Sequence, residues 1–223
     1  MPTLLEAREL GRCLPLGETW LLRDVSLEIN AGDRLAVVGP TGAGKTVLLR
    51  ALAMLDPFDA GEIRWHNQPV ADVEIPDFRR QVVYLHQRPV LWEQSVETNL
   101  RLPYELKGHA KKQFDRDRVV ALFEHVGRDA SFLGKPARDL SGGEGQLVAL
   151  IRAMQLDPGI LLLDEPTAAL DAATSRSIEQ LVARWFEESS SGRAYLWVSH
   201  DSEQVGRIAQ QVYQMTAGSI QRA

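Results

Sequence analysis

A glycine-rich octapeptide set between an apolar run and a helical run constrains this chain more than any other feature. The octapeptide fits the pattern G-x-x-x-x-G-K-[ST] and consists of Gly39, Pro40, Thr41, Gly42, Ala43, Gly44, Lys45 and Thr46. The apolar run 35–38 precedes it and the helical run 47–55 follows it, which is the context that the pattern requires. The motif, a P-loop, predicts an α/β fold built around a phosphate-binding turn.

The chemistry of this loop comes mainly from backbone groups. Glycines at 39, 42 and 44 let the backbone curl so that its N–H groups point inward at a helix N-terminus, where they form an anion nest. Lys45 adds a positive charge for the β- and γ-phosphates, and the Thr46 hydroxyl is suited to ligate Mg²⁺. We therefore expect the chain to bind a nucleoside triphosphate.

Composition excludes several other classes of protein. The 223 residues carry a net charge of −5, which gives no general attraction to nucleic acid or to anionic lipid. Aliphatic runs such as 160–163 are far shorter than the ~20 residues that cross a bilayer, and the N-terminus does not resemble a signal peptide. The single cysteine, Cys13, cannot form an internal disulfide. A globular cytoplasmic protein is expected.

The apolar pattern indicates an α/β core that is interrupted by a helical segment. The runs 35–38, 160–163 and 195–198 are typical of strands covered on both faces, and further strands are predicted at 4–10, 20–29 and 63–65. From about 96 to 156 the pattern is helical. Apolar side chains recur there at i, i+3, i+4 and i+7, at Val119, Leu122, Phe123 and Val126.

Two acidic residues follow the predicted strand at 160–163. Asp164 is placed to hold Mg²⁺, directly or through water, and Glu165 is placed to polarise the water that attacks a γ-phosphate. An Asp-Glu pair alone is weak evidence, and it gains meaning from the P-loop upstream.

A second phosphate-binding helix start is predicted from Leu140 to Glu144. Ser141 occupies an N-cap position, and Gly142 and Gly143 leave the N–H groups of the first turn open to an anion. In a chain with one P-loop, a second phosphate-binding helix N-terminus is unexplained unless two chains share each nucleotide. The alternative is a glycine-rich turn without a ligand.

These residues resemble the signature motif of the ATP-binding cassette (ABC) ATPases, and Ser141 lies 23 residues before Asp164, as in that family. Gln87, 42 residues after Lys45, resembles the Q-loop glutamine, which ligates Mg²⁺ and senses the transporter. The segment 169–171 resembles the D-loop, whose aspartate is Asp171, and His200 resembles the switch histidine that contacts the γ-phosphate. The resemblance extends over essentially the whole chain.

The resemblance implies both a fold and a mechanism. The fold is a P-loop NTPase (RecA-like) core with an N-terminal antiparallel β subdomain and an inserted helical subdomain. Residues 1–223 then form a single ABC ATPase domain, with 1–87 and 157–223 as the α/β core and 88–156 as the helical subdomain. Two cassettes pack head to tail around two ATP molecules with Mg²⁺. Residues 39–47 of one cassette and the signature residues Ser141, Gly142, Gly143 and Glu144 of the other enclose each nucleotide.

Three positions depart from the family pattern: the adenine-stacking position, Val47, and Leu147, which stands where the family often has arginine. The position of the aromatic residue that stacks on adenine aligns with Leu16, and Trp20 is either a substitute or a core tryptophan. Val47 stands where the family commonly has Ser or Thr at the α-phosphate, so its backbone N–H is expected to serve instead.

A transporter interpretation requires a separate membrane permease, which places the chain at the cytoplasmic face of the cell membrane. The segment 88–104 is the expected docking surface. The length of the chain, the segment 78–103 and the run 196–201 together resemble the ATP-binding subunit of the bacterial iron exporter. A cassette protein of DNA repair or translation, and a P-loop small-molecule kinase, are the alternatives. The single cassette and the net negative charge argue against the first alternative, and the signature and Gln87 argue against the second. No nucleic-acid partner is expected.

Overall fold

The computed structural model describes residues 1–14, 19–109, 111–168, 170–188 and 192–223. These residues form two compact units. The first contains Met1–Tyr84, Gly159–Glu165 and Ser189–Ala223, and the second contains Leu85–Pro158 and Pro166–Glu188. The segment 166–188, which the sequence analysis assigned to the α/β core, is grouped with the second unit. Among the described residues, no helix combines the length and apolar composition that crossing a bilayer demands.

The strands and helices follow the predicted order. The strands are β1 (Thr3–Cys13), β2 (Trp20–Asn30), β3 (Arg34–Val38), β4 (Ala60–Trp65), β5 (Gln68–Pro69), β6 (Val82–Leu85), β7 (Ile160–Asp164), β8 (Ala194–Val198), β9 (Gln211–Thr216) and β10 (Ser219–Arg222). The helices are α1 (Lys45–Leu52), α2 (Ile75–Gln81), α3 (Val96–Arg101), α4 (Arg116–Glu124), α5 (Gly142–Met154), α6 (Ala172–Glu187) and α7 (Ser202–Ile208). Short 3-10 turns connect several of them.

The first unit contains the N-terminal antiparallel sheet that the family resemblance implied. Its strand order is β2-β1-β4-β5, and β1 pairs antiparallel with both β2 and β4. Alternate side chains of β2 are buried at Val25, Leu27 and Ile29 because one face of this sheet covers the core. Strand β1 buries neighbouring residues where its register shifts against β2. The Asp56 carboxylate ties β1 to the end of α1, since it pairs with Arg12 and Arg50 at 2.6 Å each.

The second sheet has the order β10-β9-β3-β8-β7-β6 and positions the P-loop. Strands β3, β8 and β7 run parallel to one another, and β9 is parallel to β3. Strands β7 and β8 are buried along their whole length, which explains their uninterrupted apolar sequences. The carboxyl ends of these parallel strands lie at one edge, and that edge carries the chemistry described below.

A C-terminal hairpin of β9 and β10 packs against the P-loop. The turn residue Gly218 donates its N–H to the carbonyl of Ala43 at 3.0 Å and accepts from the N–H of Arg23 at 2.9 Å. The loop is thus held between β2 and the hairpin.

The second unit is mostly helical, as expected. Several separate helices occupy the region from 96 to 156, where the sequence showed one continuous helical pattern. Helix α4 buries Val119, Leu122 and Phe123 and ends at Glu124, so Val126 lies beyond it and is half-buried. Helix α5 begins at Gly142 with Ser141 as its N-cap, as predicted. Helix α1 begins at Lys45, two residues before the predicted start, because Gly44 in a left-handed conformation (φ 105°) serves as its N-cap.

Candidate active site

The P-loop connects the carboxyl end of β3 to the first turn of α1. A Cβ atom at Gly39 would overlap the carbonyl oxygen of Met215, and one at Gly44 would lie 2.6 Å from the carbonyl oxygen of Leu21. Both glycines also have positive φ, 151° and 105°. Glycine is required at these two positions because the neighbouring strands approach the loop backbone so closely.

The side chain of Lys45 folds back over its own loop. Its ammonium donates to the carbonyl oxygens of Gly39 and Pro40 at 2.8 and 3.0 Å. Burial lowers the pKa of Lys45, while the negative charges of Glu165 and Asp164 act in the opposite direction. Lys45 therefore lies within the electrostatic field of both carboxylates that follow the apolar run 160–163.

Asp164 and Glu165 lie where β7 ends, and His200 follows the end of β8. The backbone N–H of Glu165 donates to the carbonyl of Val198 at 3.2 Å, which fixes the two strand ends side by side. The His200 Nε2 atom lies 2.6 Å from Glu165 Oε1. The Glu165 side chain is largely shielded and the His200 side chain is more open, with 19% and 45% exposed. The fold thus brings together two residues that are 35 positions apart in sequence.

Glu165 has a left-handed backbone conformation, with φ 47°. This conformation costs a residue other than glycine of order 1–3 kcal/mol, and such strain persists where the surrounding structure enforces it. Here the hydrogen bond to Val198 and the rigid end of β7 enforce it. In this conformation the Glu165 carboxylate lies against the His200 imidazole.

Tyr84, which the sequence pattern did not indicate, is part of this site. Its hydroxyl donates to Asp164 Oδ2 at 2.8 Å. Burial and the adjacent Asp164 carboxylate raise the pKa of Tyr84, so the hydroxyl remains a donor at neutral pH. The partners are 80 residues apart in sequence and meet because β6 and β7 belong to the same sheet. The one available signal was the position of Tyr84 near the end of an apolar run that leads to Gln87.

The first unit offers oxygen ligands suited to Mg²⁺. Thr46 is exposed at the start of α1, and Asp164 is 4% exposed with Oδ2 already oriented by Tyr84. Mg²⁺ typically binds one or two protein oxygens and completes its shell with phosphates and water. Across the described residues no cluster of three or more His, Cys, Asp or Glu side chains forms a metal cage. The donors therefore fit an ion that arrives with a nucleotide.

Trp20 and Val47 are two positions where the sequence departed from the family pattern. The ring of Trp20 packs over Gly11 of the neighbouring strand β1, with 44% of the residue exposed. Leu16, the other position considered for adenine stacking, lies outside the described residues. The Val47 side chain packs against the apolar core. Its side chain therefore has a packing role, and its backbone N–H remains the group considered for the α-phosphate.

In the second unit, the signature residues form the start of α5. The Ser141 hydroxyl accepts from the N–H of Glu144 at 3.2 Å, and Glu144 Oε2 accepts from the N–H of Ser141 at 2.9 Å, which is a complete capping box. Ser141 and Gly142 are exposed. A Cβ atom at Gly143 would lie 2.7 Å from Thr174 Cγ2, so this glycine lets α5 approach the start of α6.

Asp171 of the predicted D-loop is the N-cap of α6. Its carboxylate accepts from the N–H of Thr174 at 2.9 Å and from the Thr174 hydroxyl at 2.7 Å. These hydrogen bonds lower the pKa of Asp171. Ala169, the first D-loop residue, lies outside the described residues.

Gln87 of the predicted Q-loop is exposed in the second unit. The adjacent carbonyl of His86 accepts from Gln146 Nε2 at 3.2 Å, and the Val90 carbonyl accepts from Arg152 at 3.0 Å, so α5 holds this loop at two points. A cavity of about 230 Å³ separates the loop from the start of α5 and is lined by Gln87, Arg88, Pro89, Gly142, Gln146, Pro166, Ala168 and Leu170.

Comparison with known proteins places this geometry in a family context. The family model described as "ABC transporter" matches residues 22–168. The Escherichia coli (strain K12) protein named "Probable iron export ATP-binding protein FetA" is 31% identical over 221 residues, which cover 99% of this chain and 95% of that protein.

Other relatives are longer than this chain. Protein STAR1 of Oryza sativa subsp. japonica is 36% identical over 90% of this chain, and the spermidine/putrescine import ATP-binding protein PotA of Pseudomonas aeruginosa is 34% identical over 99% of it. The chain spans 56% and 59% of the lengths of these two proteins.

A solved structure is similar to this chain over nearly its full length. It is a dimeric ATP-binding cassette in a post-hydrolysis state bound to ADP and Pi, with a TM-score of 0.84 and 27% identity. The match covers 98% of this chain and 97% of that chain.

Proposed function

The chain belongs to the ABC transporter family as an ATP-binding subunit that hydrolyses ATP, and we propose that two copies enclose two ATP molecules. In this arrangement the P-loop of one copy and the signature residues of the other contact each nucleotide. The similarity to a cassette solved as a dimer with ADP and Pi supports this arrangement. Hydrolysis and product release then separate the two copies.

The observation that carries the proposal is the set of groups at one edge of the parallel sheet. The P-loop, Asp164, Glu165 and His200 follow the adjacent strands β3, β7 and β8. A triphosphate in the loop therefore meets an anion nest, a Mg²⁺ ligand, a base and an imidazole at one edge. This combination of positioning and electrostatics is what phosphoryl transfer to water requires.

Each side chain has a distinct role in the proposal. Lys45 leaves its loop carbonyls to contact the β- and γ-phosphates, while Thr46, Asp164 and Gln87 hold Mg²⁺ directly or through water. When bound, Mg²⁺ neutralises charge on the phosphates.

The remaining residues act on the reacting water and on the partner copy. Glu165 positions the attacking water and accepts its proton, and His200 stabilises charge on the γ-phosphate. Asp171 orders the D-loop by capping α6, which places that loop for contact with the partner copy.

A direct test combines product analysis with size measurement. The purified chain is incubated with Mg²⁺ and ATP, and both free phosphate and phosphorylated small molecules are quantified. We expect the parent chain to release free phosphate. We expect the Glu165→Gln variant, which does not turn ATP over, to shift from monomer to dimer on a sizing column when ATP is added. A phosphorylated metabolite without free phosphate would instead indicate a kinase. Lys45→Ala serves as the nucleotide-binding control.

We further propose that an integral membrane permease, a separate chain, docks on the segment 88–104. Val90 and Trp92 on this segment are 71% and 62% exposed. Hydrogen bonds fix the loop that carries them to α3, because the buried Asn99 accepts from the N–H of Trp92 and donates to the carbonyls of Trp92 and Ser95. Exposed apolar side chains on an ordered loop are typical anchors for a partner protein. The chain then resides peripherally at the cytoplasmic face of the membrane.

The docking proposal is tested by co-expression with any multi-span permease that a gene adjacent to this one encodes. We expect the two chains to purify together from detergent-solubilised membranes. Trp92→Ser should reduce recovery of the complex, and Leu55→Ser, a matched exposed apolar residue in the first unit, should leave it unchanged. Equal recovery with both variants would contradict the assignment of the surface.

For the transported species we propose iron, moved outward. The support is the similarity to the named iron export protein, which this chain matches over 95% of that protein's length, whereas the named importer is much longer. The test is the iron content of cells that lack the gene after an iron load. Loss should raise cellular iron, and complementation should require active Glu165. Unchanged iron with reduced uptake of a polyamine would favour import.

A further inference from the structure

Glu144, the last signature residue, is the centre of a cluster of charges in the second unit. The Lys135 ammonium lies 2.7 Å from Glu144 Oε2, and an Arg128 nitrogen lies 3.4 Å from Oε1. The Glu144 side chain is 13% exposed, so its charge is only weakly screened by water. One carboxylate thus faces two cations that approach from the preceding loop.

The same carboxylate controls the backbone of the signature serine. Glu144 Oε2 accepts from both Lys135 and the N–H of Ser141, which lies at 2.9 Å. If the carboxylate turns away, Ser141 loses its reciprocal cap and the first turn of α5 loosens. The position of Ser141 therefore depends on what holds Glu144.

A carboxylate at this place also presents an electrostatic difficulty. In the proposed function, the start of α5 receives the triphosphate bound by the other copy, and a free negative charge there repels it. Burial acts to raise the pKa of Glu144, but the hydrogen bonds from Lys135 and from the Ser141 backbone, with the charges of Lys135 and Arg128, hold that pKa below its ordinary value. The group stays ionised and needs its cations.

Lys135 is itself fixed to the segment proposed to contact the permease. Its carbonyl accepts from the N–H of Val96 at 3.0 Å, and the N–H of Ala137 donates to the carbonyl of Gln94 at 2.8 Å. These two bonds flank a bridge between Ser95 and Pro136. A continuous set of bonds therefore leads from the segment 94–96 through Lys135 and Glu144 to Ser141.

We propose that Lys135 is a positioning residue for the ATP-bound dimer: it holds Ser141 through Glu144 and offsets the Glu144 charge beside the incoming triphosphate. This inference rests on the proposed sharing of nucleotides between two copies. Lys135 lies outside the signature motif, yet the position of Ser141 within the motif depends on it.

The first experiment measures ATP-dependent dimerisation in a Glu165→Gln background, by sedimentation over a range of protein concentrations. Lys135→Met should weaken the dimer about tenfold, since a hydrogen bond to a charged group is lost. Binding of ATP to the monomer should be unchanged, because that site is the P-loop of the same copy. Lys135→Arg should recover most of the loss. Arg138→Met is the matched control, since Arg138 is 76% exposed and pairs weakly with Asp139.

The second experiment asks whether Lys135 acts through Glu144. In a background that also carries Glu144→Gln, Lys135→Met should change dimerisation by less than about twofold, because the amide carries no charge to offset. An equal loss in both backgrounds, or no loss from Lys135→Met alone, overturns the inference while the proposed function stands. If the parent protein does not dimerise with ATP, both the inference and the proposed function are contradicted.

Discussion

The imidazole Nε2 of His200 lies 2.6 Å from a carboxylate oxygen of Glu165, at the edge where two parallel strands end. The contact joins the Glu165 carboxylate, which accepts hydrogen bonds, to the His200 imidazole, whose Nε2 atom donates one when it carries a proton. It orients both side chains, and in the proposed function a carboxylate held in this way needs little rearrangement to act on the attacking water.

We expect Glu165→Gln to retain ATP binding and to lower the rate of hydrolysis by about 10²- to 10⁴-fold. The amide preserves shape but cannot accept the proton of the attacking water. The measurement is phosphate release at saturating MgATP, with nucleotide binding measured separately. Glu188→Gln is a suitable control because Glu188 is exposed and pairs with Arg184 on a helix surface. Normal turnover by Glu165→Gln would exclude Glu165 as the base.

Tyr84→Phe should increase the Mg²⁺ concentration needed for half-maximal activity by roughly threefold to tenfold. The hydroxyl orients Asp164 Oδ2, and a hydrogen bond to a charged group is worth about 1.5–3 kcal/mol, of which part is recovered by water. The measurement is a Mg²⁺ titration of hydrolysis at fixed ATP. Tyr213→Phe, on β9, is the matched control. If both variants titrate like the parent protein, Tyr84 has no part in orienting the metal ligand.

Gly143→Ala should destabilise the protein by about 1–3 kcal/mol and reduce ATP-dependent dimerisation, because the new methyl group meets Thr174 Cγ2 at 2.7 Å. Adding Thr174→Ser should restore much of both, since it removes that methyl group and keeps the hydroxyl bonded to Asp171. Urea unfolding and sedimentation measure the two effects. At Gly142, a Cβ meets no atom of the described residues within 4 Å, so Gly142→Ala tests whether added bulk alone is harmful.

Acid should remove the stability contributed by Asp56. Hydrogen bonds from Arg50, followed by those from Arg12, hold the pKa of Asp56 well below its ordinary value. The folded-state pKa is depressed, so this contribution is complete above the unfolded-state pKa of about 4 and declines as pH falls below it. We expect Asp56→Asn to cost about 1–2 kcal/mol at pH 7 and clearly less at pH 3, measured by urea unfolding. A cost independent of pH would show that the ion pairs contribute nothing.

The elements that could be predicted from sequence are those whose local pattern matches their environment. Strands β3, β7 and β8 are covered on both faces and therefore read as unbroken apolar runs. The N-cap at Ser141 and the P-loop were visible because capping and phosphate-binding turns impose fixed residue types at fixed spacing.

The features that escaped prediction depend on contacts between distant residues. Strand β9 is half-buried and carries polar residues at both faces, which gave no clear alternation. Nothing in the local spacing indicates that Tyr84 reaches Asp164 or that Lys135 reaches Glu144. Long side chains meet there because the fold brings their backbones together.

The hairpin of β9 and β10 has a consequence for the order of events on the ribosome. The P-loop strand β3 pairs with β8 on one side and β9 on the other, and Gly218 bonds to Ala43 within the loop itself. All of these partners are synthesised more than 150 residues after β3. A nascent chain therefore carries a β3 strand without its two neighbours, and the nucleotide cradle stays incomplete until residues 211–219 have left the exit tunnel.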